Sequence, residues 1–162
     1  MIKQAICVFF GTATLALAHG AATGIVRDRM DGMVAMGKAM KAISVALQEA
    51  PANADDIRAG AAQVKSHAGQ NMTNLFPEGE LTHSEARPEI WEDWEKFAKL
   101  AERLAIQAEG LLLAAKNQKT GARPGSAATL ALEDYAQMGP DEVFKHIGQT
   151  CGACHKDFRL KK

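Results

Sequence analysis

The residues best suited to chemistry are Cys151-Gly152-Ala153-Cys154-His155. Two thiols three positions apart share one face of a helix. A histidine follows the second thiol directly. C-x-x-C-H is the attachment pattern of a c-type haem. Both sulfurs can bond the vinyl groups of one porphyrin, and His155 can then turn under the iron as proximal ligand. The alternatives are a dithiol redox pair, half a zinc site or a structural disulfide. A dithiol redox motif belongs beside a βαβ pattern, and no segment here alternates with period two. A structural zinc site needs a second ligand pair, and the other cysteine, Cys7, stands alone.

The elements that must position this motif read as helices. Val26, Arg29, Met33, Met36, Met40, Ile43 and Leu47 step by three and four, one residue per turn on one face. Residues 53–69 form a second candidate, with Ile57 and Val64 inward and Asp55 and Asp56 in the first turn. Ile90, Trp94, Phe97, Ala101, Leu104, Ala108, Leu111 and Ala115 mark a third, introduced by Pro88. The last follows Gly139-Pro140, with Phe144, Ile147, Cys151, Cys154 and Phe158 as its inner stripe. A short helix is expected within 126–137, and 70–87 is a long loop. The chain is therefore expected to be all-α, an antiparallel four-helix bundle with its haem near the C-terminus.

Residues 1–18, MIKQAICVFFGTATLALA, have the layout of a secretory signal. Lys3 precedes an uncharged run from Ala5 to Ala18 that ends in a small-x-small pattern. A membrane anchor or first core helix is the alternative, but the run is short of the ~20 apolar residues a span needs. Cleavage is expected within a few residues of Ala18, leaving 19–162 as one domain. Cys7 and Lys3 leave with the signal, and the formal charge, zero over all 162 residues, becomes −1. Such a balance argues against nucleic-acid binding, which needs a basic surface. It also offers no strong field to steer a partner. A bacterial location would be the periplasm, without stable membrane insertion.

A C-x-x-C-H close to the end of a four-helix chain resembles the class II cytochromes c, namely cytochrome c prime and its low-spin relatives. The resemblance extends to Arg29-Met-Asp-Gly-Met33-Val-Ala-Met36-Gly-Lys-Ala-Met40, to Asn74-Leu-Phe-Pro-Glu-Gly, to Pro88-Glu-Ile-Trp91 and to Lys156-Asp-Phe158-Arg159. It implies one covalently attached haem c, held by Cys151, Cys154 and His155. In that family the distal residue lies four positions after an arginine facing a haem propionate, which here gives Met33 after Arg29. The low-spin members bind iron through a methionine there. Cytochrome c prime proper commonly leaves the iron five-coordinate.

The register of the helices agrees. With helix one starting near Ala22, Met33 stands ~16 Å along its axis, and His155 stands ~10 Å before the end of the last helix. In an antiparallel bundle those heights are similar. The resemblance singles out Met33 as sixth ligand, with Met36 as the reserve candidate. Core packing is the bland use of every methionine in this helix. Arg29 sits in a buried stripe, where a propionate would resolve its charge; snorkelling to the bundle end is the alternative. Arg159 shares the His155 face and either shields the proximal side or favours the helix C-terminus as a cation. Phe158 is expected by the haem edge, and Trp91 and Trp94 in the core, with lining of the haem pocket as their alternative. His67, His83 and His146 are expected on the surface. His146 is nine positions before His155, roughly 180° away around the helix.

These readings converge on a periplasmic carrier of single electrons with a low-spin His/Met haem, serving unidentified redox partner proteins. The alternative is a five-coordinate protein that binds NO or CO. An enzyme is not expected, because a peroxidase needs distal acid and base groups where this stripe offers methionine and alanine. The resemblance also implies a possible homodimer through the first helix.

Overall fold

A computed structural model describes residues 22–120 and 130–161. The expected export signal, 1–18, lies outside the described residues, as do 121–129 of the segment before the last helix. Four long helices dominate: α1 Gly24–Ala46, α2 Ala54–Ser66, α5 Trp94–Ala114 and α7 Pro140–Phe158. Three short ones join them: α3 Gln70–Thr73, α4 Glu89–Glu92 and α6 Leu132–Gln137. No strand occurs among the described residues, only an isolated antiparallel bridge between Ala86 and Arg159.

Local sequence explains the helix ends. Asn53 caps α2 by accepting from the Asp56 N–H at 3.2 Å. Pro140 opens α7, with Asp141 and Glu142 in its first turn and His155 and Lys156 in its last, both favourable to the helix dipole. The third predicted helix is broken. Asp93 adopts φ −127°, ψ 53°, outside the helical region, and separates α4 from α5.

The long helices pack as an antiparallel bundle, α1 on α2, α2 on α5 and α5 on α7, while α6 lies across α5. Ile43, Ile57, Phe97, Leu111, Tyr135 and Ile147 are fully or almost fully buried at its centre. The buried face of α1 is rotated from the expected stripe. Gly32, Ala39 and Ala46 are buried, whereas Met33, Met40 and Leu47 are only half-buried. Small residues let α2 approach closely. Gly60 of α2 leaves so little room that a Cβ there would collide with Ile43.

A similar rotation affects α7. Val143, His146 and Thr150 are buried there, while Phe144, Cys151 and Cys154 are half-buried. The expectation that His146 is a surface residue is thus corrected: its exposure is 0%. Tyr135 of α6, itself packed on α5, reaches the imidazole and meets it edge-on at 5.6 Å. Trp94, expected in the core, is 40% exposed. His67 is half-buried, hydrogen-bonded to Gln63 at 2.9 Å and set against Gly32. His83 is exposed, as expected.

Candidate functional site

The C-x-x-C-H motif lies in the last turns of α7, where both cysteines are free thiols. Beside it opens a cavity of about 380 Å³, within the range of small-ligand sites. Cys154, His155, Phe158 and Arg159 form one wall from α7. Arg29, Met30, Met33, Val34 and Gly37 form another from α1. Phe76, Ser84, Glu85 and Ala86 come from the loop after α3, and Ile90 and Phe97 from α4 and α5. Met33 and His155 therefore face the same space from helices at opposite ends of the chain. Met36 is buried in the core instead and is absent from the cavity wall.

The floor is aromatic. Phe97 meets Phe76 at 4.9 Å and Phe158 at 5.6 Å, both edge-on. Trp91 does not line the cavity but donates its indole N–H to the Phe76 carbonyl at 3.1 Å. Such walls suit a flat apolar ring system. Gly37 places no side chain on the α1 wall one turn beyond Met33, and a Cβ there would meet nothing within 4 Å.

Arg29 is 3% exposed, and its guanidinium is met by neutral groups. It donates to the Leu75 carbonyl at 3.2 Å, to the Ser84 hydroxyl at 2.8 Å and to the Glu80 carbonyl. It also lies 4.8 Å from the centre of the Phe76 ring. Its Nε is buried without any partner. Burial lowers its pKa, an effect the Glu80 carboxylate opposes. A buried cation with one donor unused fits an anionic group entering from the cavity.

Burial holds the ionisable groups of the motif in their neutral forms. Burial, then the neighbouring Cys151 and Asp157, push the Cys154 thiol up to about 12. Burial raises Cys151 as well. Burial and then the Arg159 cation lower His155, with Glu85 opposing, so that its imidazole is neutral and free to donate a lone pair. Arg159 ends α7 and points two N–H groups at one Glu85 oxygen, at 2.7 and 3.0 Å. Paired thiols, a neutral imidazole, an apolar floor and an unsatisfied buried cation together fit a covalently held haem.

The structure thus gathers Cys154, His155, Met33, Arg29 and Arg159 at one cavity, with Cys151 one turn before Cys154. Sequence reasoning missed Ser84, Glu85 and Ala86. Their part depends on a loop folding back on two distant helices, and no local pattern announces that. Phe76 did carry a signal, within Asn74-Leu-Phe-Pro-Glu-Gly.

Known proteins agree with this geometry. The family profile described as Cytochrome C′ matches residues 24–159. Cytochrome c-556 from Agrobacterium tumefaciens (strain B2A) is 31% identical over 140 residues, covering 86% of this chain and 99% of that protein. Cytochrome c′ from Rhodospirillum rubrum is 30% identical over 161 residues, covering 98% and 96%. The crystal structure of cytochrome c′ from Thermochromatium tepidum superposes with a TM-score of 0.64 at 28% identity, covering 85% of this chain and 95% of that one. With the family profile spanning all four long helices and the C-x-x-C-H motif of this chain, the protein belongs to the cytochrome c′ family of haem c proteins.

Proposed function

We propose that the protein is a periplasmic carrier of single electrons whose haem iron is held between His155 and Met33. The observation that carries this reading is the presence of both residues on the wall of one cavity. Cys151 and Cys154 would tether the haem, Arg29 would meet its anionic groups and Arg159 would stand beside His155. When bound, the haem supplies a one-electron couple, which ligation by methionine would shift to higher potential. Met33 would face the iron across from His155 and keep small molecules from it. Phe76, Phe97 and Phe158 exclude water from the floor. The α1 wall offers no acid–base pair beyond the engaged Arg29, which supports a carrier rather than an enzyme. Export rests on the pattern of residues 1–18. Among the described residues, no helix is long and apolar enough to cross a membrane.

The test is the visible spectrum of the purified holoprotein. Low-spin haem in both oxidation states, with little response to CO, is the expected result. Met33→Ala should convert it to a high-spin ferrous form that binds CO readily. A wild-type protein already high-spin and CO-reactive would overturn the Met33 assignment. It would favour the gas-binding reading, to which the match with a cytochrome c′ over nearly the whole chain lends support. We also propose a homodimer through the exposed face of α1, which runs from Val34 at the cavity rim to Val45, 41% and 55% exposed.

A further inference from the structure

The two walls of the cavity hardly support each other. α1 packs along α2 and α7 along α5, and no comparable packing joins α1 to α7. The loop 75–87 bridges them. On one side Arg29 of α1 donates to Leu75, Glu80 and Ser84 of this loop. On the other, residues 85–87 pair with the end of α7. The Arg87 N–H donates to the Phe158 carbonyl at 2.9 Å, and the Leu160 N–H to the Glu85 carbonyl at 2.8 Å. The Glu85 carboxylate adds the ion pair to Arg159. The two tethers converge on neighbouring residues. Ser84 accepts from Arg29 and, through the same oxygen, from the Ala86 N–H at 3.0 Å. Glu85 is held by α7.

We propose that Ser84 and Glu85 are positioning residues. Their backbone spans the gap between the α1 wall and the α7 wall, and their side chains fix each end of that span. They thereby set how firmly the Met33 wall closes over the distal side. Neither side chain is assigned to the iron; both act through Arg29 and Arg159. The inference rests on the reading above that Met33 and His155 face the haem.

The holoproteins Ser84→Ala, Glu85→Gln and Glu85→Asp test this, with spin state and CO association rate as readouts. Loss of one charge-assisted hydrogen bond from the closed arrangement should speed CO association on the order of tenfold. Ser84→Ala and Glu85→Gln should also show a high-spin component in the reduced spectrum. Glu85→Asp, which keeps the carboxylate, should stay near wild type. A change in packing alone would not be rescued that way. Wild-type spin states and CO rates in both Ser84→Ala and Glu85→Gln would overturn the proposal. A high-spin wild type would instead refute the Met33 assignment. The role of Ser84 and Glu85 is then judged by CO rate alone: faster entry in the two variants supports it, and equal rates overturn it.

Discussion

His146 shows how much a single residue depends on what covers it. Both ring nitrogens are buried without a hydrogen-bond partner, and so is Oε1 of Gln107. Gln107 spends its amide on the Tyr135 hydroxyl at 3.1 Å. Burial lowers the His146 pKa below the ordinary 6.5, against the opposing charge of Glu142 on its own helix. The unfolded chain therefore takes up a proton more readily than the folded one. The stability carried by neutral His146 is complete above pH 6.5 and is lost as the pH falls below it. That loss approaches ~1.4 kcal/mol per pH unit for one group. His146→Leu should flatten this part of the profile, as measured by urea midpoints of both proteins across the acid range. A variant profile parallel to wild type would refute it. Helical angle correctly placed His146 opposite His155; it could not show that Tyr135, from a separate short helix, reaches it there.

At the scale of elements, the periodicity of α1, α5 and α7 in the sequence was enough to predict helices and their order. It misjudged which face is deepest. Apolar volume ranks Met33 and Met40 above Gly32 and Ala39, yet helices approach most closely over small residues. Large ones are left to flank the contact, and Met33 flanks it toward the cavity. Gly110 of α5 plays the same part for α6, because a Cβ there would collide with that of Tyr135. Gly110→Ala should destabilise the protein by about 1–3 kcal/mol through overpacking. Gly148 on α7 has nothing within 4 Å of a Cβ. There Gly→Ala should stabilise by ~0.5–1 kcal/mol through helix propensity. Thermal unfolding of the two variants should shift in opposite directions. Equal shifts would mean that α6 does not seat on Gly110 as described.

For the whole molecule, Lys38, Lys41 and Val45 continue at helical spacing from Val34 at the cavity rim along the exposed face of α1. A two-fold interface there sets this stripe against its own copy, lysines included. The expected dimer is therefore weak and strengthened by salt, which screens the lysine repulsion. Val45→Lys should shift it to monomer in sedimentation velocity. A wild-type monomer at every salt and protein concentration would rule the interface out. The loop 75–87 has a different consequence, one of chain entropy. Its side-chain tethers join residues 46, 51, 55 and 74 positions apart in the chain. The bundle's own contacts reach as far: Lys96 pairs with Asp157, and Phe97 meets Phe158, across 61 positions. Closure entropy grows only slowly with loop length, so fastening the cavity wall costs about as much chain entropy as docking α7 on α5.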